Sequence, residues 1–204
     1  MRPILVLLIL SAPLAVADEA PELDAFLASL DTLTARFEQT VGIDGQAGEQ
    51  VSRGSLKILR PGRFRWDYES PTTQLVLSDG QRLWLYDPDL EQVTVRDMDG
   101  TLSSTPAMLL GGEGDLDEHF RTGARYEEEG VSWFELVPLA QDSDFVGLRV
   151  GFCGVDLCDM ELLDKLGQYT RIHFENVVIG EPLDPADFRF DPPEGVDVIS
   201  ESDF

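Results

Sequence analysis

Lysine is nearly absent from the chain, which has 15 basic residues against 39 acidic ones. The only lysines are Lys57 and Lys165. The formal net charge is −24 and the isoelectric point is near 4.1. Because contact with nucleic-acid phosphates requires clustered lysine and arginine, this balance argues against a nucleic-acid-binding protein. The acidic excess favours a soluble protein that anionic membrane surfaces repel.

The chain also lacks the motifs of common enzymes. Its only histidines, His119 and His173, are far apart in sequence, and it contains no G-x-S-x-G, H-E-x-x-H or phosphate-binding G-x-x-x-x-G-K-[ST] motif. The glycine-rich residues 111–114 are followed by no lysine and indicate a turn. Acidic residues are so abundant that a pair such as Asp87 and Asp89 does not indicate acid–base catalysis. We therefore expect a protein that is not an enzyme and that binds no cofactor or metal ion.

No apolar run approaches the ~20 residues that a membrane-spanning helix needs. The run Ile4–Leu10 follows Arg2 and precedes the small residues Ala15–Ala17, a pattern typical of an export signal. The sequence predicts a signal peptide over residues 1–17 and a single mature domain over residues 18–204. No cysteine follows the cleavage site, so we expect no lipid on the protein itself.

Cysteine is scarce too, since only Cys153 and Cys158 occur. Two cysteines across a glycine-containing turn, in a protein exported to an oxidising compartment, favour a small disulfide over free thiols. A metal site would need further cysteine or histidine ligands nearby, and both histidines are distant in sequence. We therefore predict a disulfide between the two cysteines.

The spacing of apolar residues predicts one helix followed by antiparallel strands. Apolar residues three and four positions apart predict an amphipathic helix over residues 21–41, ended by Gly42. From Val51 onward, apolar and polar residues alternate, which indicates a meander of strands. Asp79-Gly80 predicts a tight hairpin turn. Residues 187–190 and 196–199 are expected to form a closing strand and tail.

A short apolar segment interrupts the strands. Thr105 suits a helix N-cap, Ala107–Leu110 are apolar, and Gly111-Gly112 end the helix. A second short helix is expected after Asp115. A short apolar helix flanked by glycines is either a movable cover or a fixed part of the core, and the sequence pattern leaves both interpretations open.

The most informative stretch is Leu56–Tyr68, LKILRPGRFRWDY. Strand alternation places Phe64, Trp66 and Tyr68 on one face and charged residues on the other. Arg60 directly precedes a proline, which turns the chain and directs a long cationic side chain away from it. An aromatic face beside a group of hydrogen-bond donors suits an apolar cavity with a polar latch better than a reaction centre.

Several motifs occur in a specific order along the chain. They are RPGRFRWDY at 60–68, Ser70-Pro71, QLVLSDG at 74–80, LWLYDP at 83–88, T-P-x-M-L at 105–109 and F-x-F-x-P-P-x-G-V at 188–196. In this order they resemble the LolA family, the periplasmic carriers of outer-membrane lipoproteins. The resemblance extends from Leu23 to Ile199. The cysteine pair and the strong acidity are not part of the family pattern.

The resemblance implies a mainly β (α+β) fold, an unclosed antiparallel half-barrel with a helical lid over an apolar cavity. It implies that Arg60 is the latch that hydrogen-bonds the lid backbone, and helix C-termini do offer unpaired carbonyls to a guanidinium. It also implies an acyl-chain cavity, for which the candidates are Leu27, Leu30, Leu33, Phe64, Trp66, Met108 and Leu109. Without the resemblance, Arg60 would be an exposed ion pair and Trp66 an ordinary core residue.

The function implied is a monomeric periplasmic chaperone. It would accept lipoproteins from the inner-membrane release complex LolCDE and deliver them to the outer-membrane acceptor LolB. Two alternatives remain open: a related half-barrel that senses or binds other lipids, and a periplasmic hydrolase with an unrecognised carboxylate site.

Overall fold

The computed structural model describes residues 22–43, 50–98, 106–112, 116–141 and 143–200. The predicted signal peptide and the predicted helix caps Thr105 and Asp115 lie outside these residues. None of the helices within the described ranges has the length and apolar character that a transmembrane helix needs.

The described elements are mostly strands. The helices are α1 (Leu23–Ser29), α2 (Pro106–Gly111) and α3 (Leu116–His119), and a 3-10 helix covers Pro185–Phe188. The strands are β1 (Thr32–Ile43), β2 (Val51–Leu59), β3 (Arg63–Ser70), β4 (Gln74–Asp79), β5 (Arg82–Asp87), β6 (Gln92–Asp97), β7 (Phe120–Glu128), β8 (Val131–Pro138), β9 (Phe145–Cys153), β10 (Asp156–Asp164), β11 (Gln168–Ile179) and β12 (Asp197–Ser200).

All 12 strands belong to one sheet, in the order β12-β6-β5-β4-β3-β2-β1-β11-β10-β9-β8-β7. Neighbouring strands are antiparallel except β12, which runs parallel to β6. Within the described residues the two terminal strands, β12 and β7, do not pair with each other, so the sheet stays open. This confirms the predicted mainly β, unclosed half-barrel, and the Asp79-Gly80 hairpin joins β4 to β5 as expected.

The predicted helix over residues 21–41 is wrong beyond Ser29. Residues Thr32–Ile43 form β1, which pairs with β2 on one side and β11 on the other. Leu33 and Phe37 lie four positions apart, which fits a helix, but both also fall on one face of a strand. Because hydrogen bonds to two neighbouring strands satisfy the backbone of β1, tertiary pairing decides between the two periods. Gly42 lies inside the strand and does not end a helix.

The predicted closing strand at residues 187–190 is also wrong. Residues Pro185–Phe188 form a 3-10 helix in which the side chain of Asp184 accepts a hydrogen bond from the Ala186 N–H. Prolines in this region remove the backbone donors that a strand would need. Phe188 is fully buried, and this helix contacts β3 and β4. The closing strand is β12, which overlaps the second predicted segment, residues 196–199.

The main core lies on one face of the sheet, here called the inner face. Leu33, Leu56, Ile58 and Phe64 are fully buried there beneath α1 and α2. The outer face carries ion pairs such as that between Arg36 and Glu69. Near the β6 end, Phe190 packs on Trp84 and Tyr86, so the chain before β12 covers part of the outer face.

Gly54 in β2 allows an aromatic ring to approach the backbone on the inner face. A Cβ atom at this position would lie 1.9 Å from the Asp67 carbonyl oxygen and 2.8 Å from the Phe37 ring. The Phe37 ring therefore occupies the space that any larger residue at position 54 would need. The ring in turn packs against Trp66, with centroids 4.8 Å apart.

We predict that Gly54→Ala destabilises the fold by about 3 kcal/mol, because the added methyl group overlaps backbone atoms and forces β2 away from β3. Gly147→Ala in β9 is the matched control, since its Cβ would meet only the Leu136 carbonyl oxygen, at 3.9 Å. The control should change stability by less than about 1 kcal/mol. Urea unfolding monitored by circular dichroism measures both values, and equal midpoints for the two variants would contradict the prediction.

Candidate functional site

Helices α1 and α2 cover the inner face of the sheet, and together they are called the lid. Their buried apolar side chains belong to the same cluster as the sheet residues; they are Leu23, Phe26, Leu27, Ala107, Leu109 and Leu110. Helices of 7 and 6 residues are too short to be stable alone in water. The lid therefore keeps its position through packing on the sheet and through its terminal contacts.

Arg60 connects the two lid helices. Its Nη1 atom lies 3.0 Å from the Leu27 carbonyl oxygen in α1 and 3.5 Å from the Leu110 carbonyl oxygen in α2. Both carbonyls lie in the last turn of a short helix, where the regular backbone partners of the helix run out. The Leu27 carbonyl oxygen also accepts a hydrogen bond from the Leu30 N–H at 3.3 Å. Burial lowers the pKa of Arg60, and the charge of Asp31 acts in the opposite direction. Because arginine is not deprotonated in proteins, Arg60 donates to both carbonyls as a cation.

The turn that follows Arg60 makes a second contact with the lid. The Gly62 N–H donates to the Gly111 carbonyl oxygen at 2.8 Å. On its other side, the Gly62 carbonyl oxygen accepts a hydrogen bond from the hydroxyl group of Ser78 at 2.6 Å. Ser78 is fully buried, and its oxygen also accepts from the Gly80 N–H. The β4–β5 hairpin therefore holds the turn that contacts the lid.

Sequence reasoning missed the roles of Gly62 and Ser78. Strand alternation could have indicated Ser78, because it is a polar residue on the same face as Val76 and is paired with Phe64. A buried hydroxyl group on that face requires a partner. No sequence pattern identifies the carbonyl of Gly62 as that partner.

The structure brings six of the seven predicted cavity residues into one buried cluster. They are Leu27, Leu30, Leu33, Phe64, Trp66 and Leu109. The side chain of Met108 lies outside the part of the chain that the structure describes, although its backbone belongs to α2. In this state the side chains of the lid pack directly on the inner face. These six residues therefore form part of the packed core in this structure, and their lining of an acyl-chain cavity stays a prediction.

A cleft of about 740 Å³ follows the edge of the lid. Leu27 and Leu30 line it from the α1 side, Leu109 from α2, and Arg60 lies in its wall. Acidic side chains, including Asp117, complete the lining. Because the lining mixes apolar and charged groups, the cleft is unsuited to hold hydrocarbon chains. The cleft separates the lid helices from α3. Arg60 lies at the place where the lid helices and α3 would move apart.

An aromatic cluster lies on the inner face away from Arg60. Trp66 has ring neighbours on three sides, with centroid distances of 4.8 Å to Phe37 and 6.4 Å to both Tyr68 and Phe174. Burial raises the pKa of Tyr68 to about 12, so its hydroxyl group stays protonated and donates to Gln39 Oε1 at 2.9 Å. Trp66 Nε1 is buried and finds no hydrogen-bond acceptor among the described residues.

Cys153 and Cys158 form a disulfide across the β9–β10 turn. A carboxylate oxygen of Asp159 lies within 4.8 Å of both sulfur atoms. A disulfide offers no thiolate, however, so this group is not a metal site. Asp159 forms an ion pair with Arg171 at 3.2 Å, and the neighbouring buried carboxylate, Glu161, is paired with Arg149. These charges are therefore compensated on the outer face, away from the lid.

The sequence profile described as outer membrane lipoprotein carrier protein LolA matches residues 28–191 of the chain. The chain is 42% identical over 188 residues to an outer-membrane lipoprotein carrier protein of Dechloromonas aromatica, covering 92% of this chain and 90% of the relative. It is 43% identical over 200 residues to the protein of the same name from Pseudomonas aeruginosa, covering 95% of each chain.

The fold is similar to that of an uncharacterised conserved protein from Thermus thermophilus. The TM-score is 0.50 at 12% sequence identity, over 87% of this chain and 94% of the other. At that identity the likeness shows the arrangement of strands alone.

We predict that Arg60→Leu loosens the lid without unfolding the sheet. Losing hydrogen bonds from a charged donor, worth roughly 1.5–3 kcal/mol, should speed amide hydrogen exchange in α1 by about 10- to 100-fold. Arg63→Leu is the matched control, because Arg63 lies on the opposite face of β3 from Phe64 and should leave exchange in α1 unchanged. Hydrogen exchange followed by mass spectrometry measures both variants. Equal exchange in α1 for Arg60→Leu and the unmodified protein would remove Arg60 from the latch role.

Proposed function

The chain belongs to the LolA family of outer membrane lipoprotein carrier proteins, and we propose that it carries lipoproteins by holding their acyl chains against the inner face of its sheet. The observation that carries this proposal is the position of Arg60. One side chain holds two short apolar helices over an apolar face through backbone carbonyls alone. Such a cover can be displaced and restored without disturbing the sheet.

The energy of hydrocarbon transfer explains why a carrier is needed. Each acyl methylene group contributes roughly 0.8 kcal/mol when it is buried, so a lipid anchor with several chains is held in a membrane by tens of kcal/mol. A carrier must offer a comparable apolar surface. Lid side chains cover that surface in the empty protein, which keeps it from solvent and from other proteins.

Displacing the lid exchanges protein contacts for lipid contacts. Acyl chains that replace Phe26, Leu27 and Leu110 on the inner face would recover the apolar burial that the lid loses. The net free energy of loading then depends on the polar contacts that are broken, chiefly those of Arg60 and the Gly62 N–H. A ligand shifts such an equilibrium only by the difference between its affinities for the two states. The latch therefore lowers the affinity for cargo, which favours later release.

The remaining parts of the pathway are proposed on the family resemblance. The protein acts in the periplasm as a non-enzymatic monomer after removal of residues 1–17, and residues 18–204 form its single domain. The Cys153–Cys158 disulfide supports an oxidising compartment.

Because the sequence has no nucleotide-binding motif, the energy for loading comes from the donor, for which we propose LolCDE. Delivery requires an acceptor that binds cargo more tightly, for which we propose LolB.

We predict that the protein purified from periplasm carries acylated polypeptide, which intact-mass spectrometry under non-denaturing conditions detects. Bound acyl chains would be recognised by their release in organic solvent. Phospholipid alone would instead support a half-barrel that binds other lipids. Turnover of an ester substrate that a single carboxylate substitution abolishes would support a hydrolase.

Arg60→Leu tests the latch within this function. Without the latch, the empty closed state loses roughly 1.5–3 kcal/mol, so transfer of bound lipoprotein to the acceptor should fall by about 10- to 100-fold while loading persists. Arg63→Leu should transfer normally. The measurement is the fraction of a radiolabelled lipoprotein that moves from carrier to acceptor with time. Normal transfer by the Arg60→Leu protein would show that the latch does not control release.

A further inference from the structure

The indole N–H of Trp66 is a polar group without a partner in an apolar place. Trp66 is only 2% exposed, and its Nε1 atom finds no acceptor within the described part of the chain. The other buried polar side chains near the inner face are paired, as Ser78 is with the Gly62 carbonyl oxygen. The neighbouring phenol of Tyr68 is paired with Gln39. A buried donor left unpaired disfavours the closed state, because it has lost its hydrogen bond to water.

The position of Trp66 relates this donor to the acyl-chain surface. On β3 the inner-face residues are, in order, Phe64, Trp66 and Tyr68. Phe64 lies at the lid end, since a Cβ on Gly111 of α2 would lie 3.5 Å from its ring. Tyr68 is only partly buried and lies with Val76 at the rim of the core. Successive inner-face residues of a strand are about 7 Å apart. Trp66 therefore lies about 7 Å from Tyr68, toward the interior of the core.

An acyl chain has its only hydrogen-bond acceptor at one end. If its tail lies toward Phe64 and its head group at the rim, the ester or amide carbonyl is placed at the depth of Trp66. The polypeptide to which the chain is attached then stays in solvent beyond Tyr68. The three aromatic rings around Trp66 offer the indole N–H no acceptor of their own.

We propose that Trp66 Nε1 donates a hydrogen bond to the carbonyl oxygen at the head of a bound acyl chain. This inference rests on the proposed function and adds to it a polar contact that recognises the acyl linkage. The contact forms only in the loaded state, whereas the latch bonds of Arg60 form only in the closed state. Trp66 thus favours loading and sets the depth to which a chain enters.

The test compares three synthetic lipopeptides on one cysteinyl peptide. The first has two ester-linked chains and one amide-linked chain, the second has ether linkages in place of both esters, and the third has in addition an alkylamine in place of the amide. Affinities are measured by displacement of a fluorescent triacylated peptide from the full mature protein. Comparing the first with the second isolates the ester carbonyls, and comparing the second with the third isolates the amide carbonyl.

The unmodified protein should prefer the ligand with the relevant carbonyl by about three- to tenfold at one of these two steps. Trp66→Phe keeps an aromatic ring but removes the N–H, so the preference should disappear. Trp84→Phe is the matched control, because the Trp84 Nε1 atom donates to Asp79 Oδ2 and its ring packs on Phe190. The control should keep the preference. The step at which the preference occurs identifies the ester or the amide as the acceptor.

A second measurement does not depend on the variant. With ¹⁵N-labelled indole, the Trp66 Nε1–H resonance should move downfield when the carbonyl-bearing ligand binds and should stay in place with the ligand that lacks it. Identical preferences in Trp66→Phe and the unmodified protein, or an unmoved resonance, would overturn the contact with Trp66 while leaving carriage intact. Failure of the unmodified protein to bind any of the three ligands would instead overturn the proposed function.

Discussion

One arginine, Arg60, binds the ends of both lid helices. α1 and α2 are each too short to persist alone, and six strands, β1 to β6, separate them along the chain, so their common polar contact is through Arg60 and the turn that follows it. Because the acceptors are backbone carbonyls, the contact requires the helices to end where they do, and it is insensitive to which apolar side chains the lid carries. In the proposed carrier function, the apolar surface of the lid would match hydrocarbon chains, while this polar contact of fixed geometry would determine whether the lid is closed.

The sheet prepares this contact. β2 and β3 place Arg60 at the turn between them, the Ser78 hydroxyl group holds that turn, and the absence of a side chain at Gly54 lets Phe37 pack against Trp66 farther along the same face. The inner face therefore carries two kinds of polar group. The donors of Arg60 and Gly62 are satisfied when the lid is closed, and the donor of Trp66 is not. In the carrier function proposed above, the empty and loaded states would thus differ in which hydrogen bonds are made.

Much of this arrangement could be predicted from the sequence where one local pattern dominated. Alternation around Phe64 and Trp66 and the Asp79-Gly80 turn indicated antiparallel strands, and family motifs indicated the position of Arg60. The errors arose where two patterns coincided: Leu33 and Phe37 fit a helix and a strand equally well, and only pairing with β2 and β11 decides. The phenylalanines of residues 187–190 suggested a strand, but the prolines around them impose a 3-10 helix. Hydrogen bonds from Ser78 and the unpaired state of Trp66 depend on distant atoms, which no local pattern encodes.

The two ends of the sheet differ in how their faces are covered. The lid helix α2 covers the inner face at β2 and β3, and Phe188 and Phe190 cover the outer face from β3 to β5. The short parallel strand β12 joins that segment to β6. At the opposite end of the described sheet, β7 is a border strand that pairs with β8 alone and exposes most of its residues to solvent. A part of the sheet that is packed on both faces resists bending, whereas a part with one face in solvent can bend. In the proposed carrier, bulkier acyl chains would consequently be accommodated by outward movement of β7, while β2 and β3, which hold Arg60, keep their position.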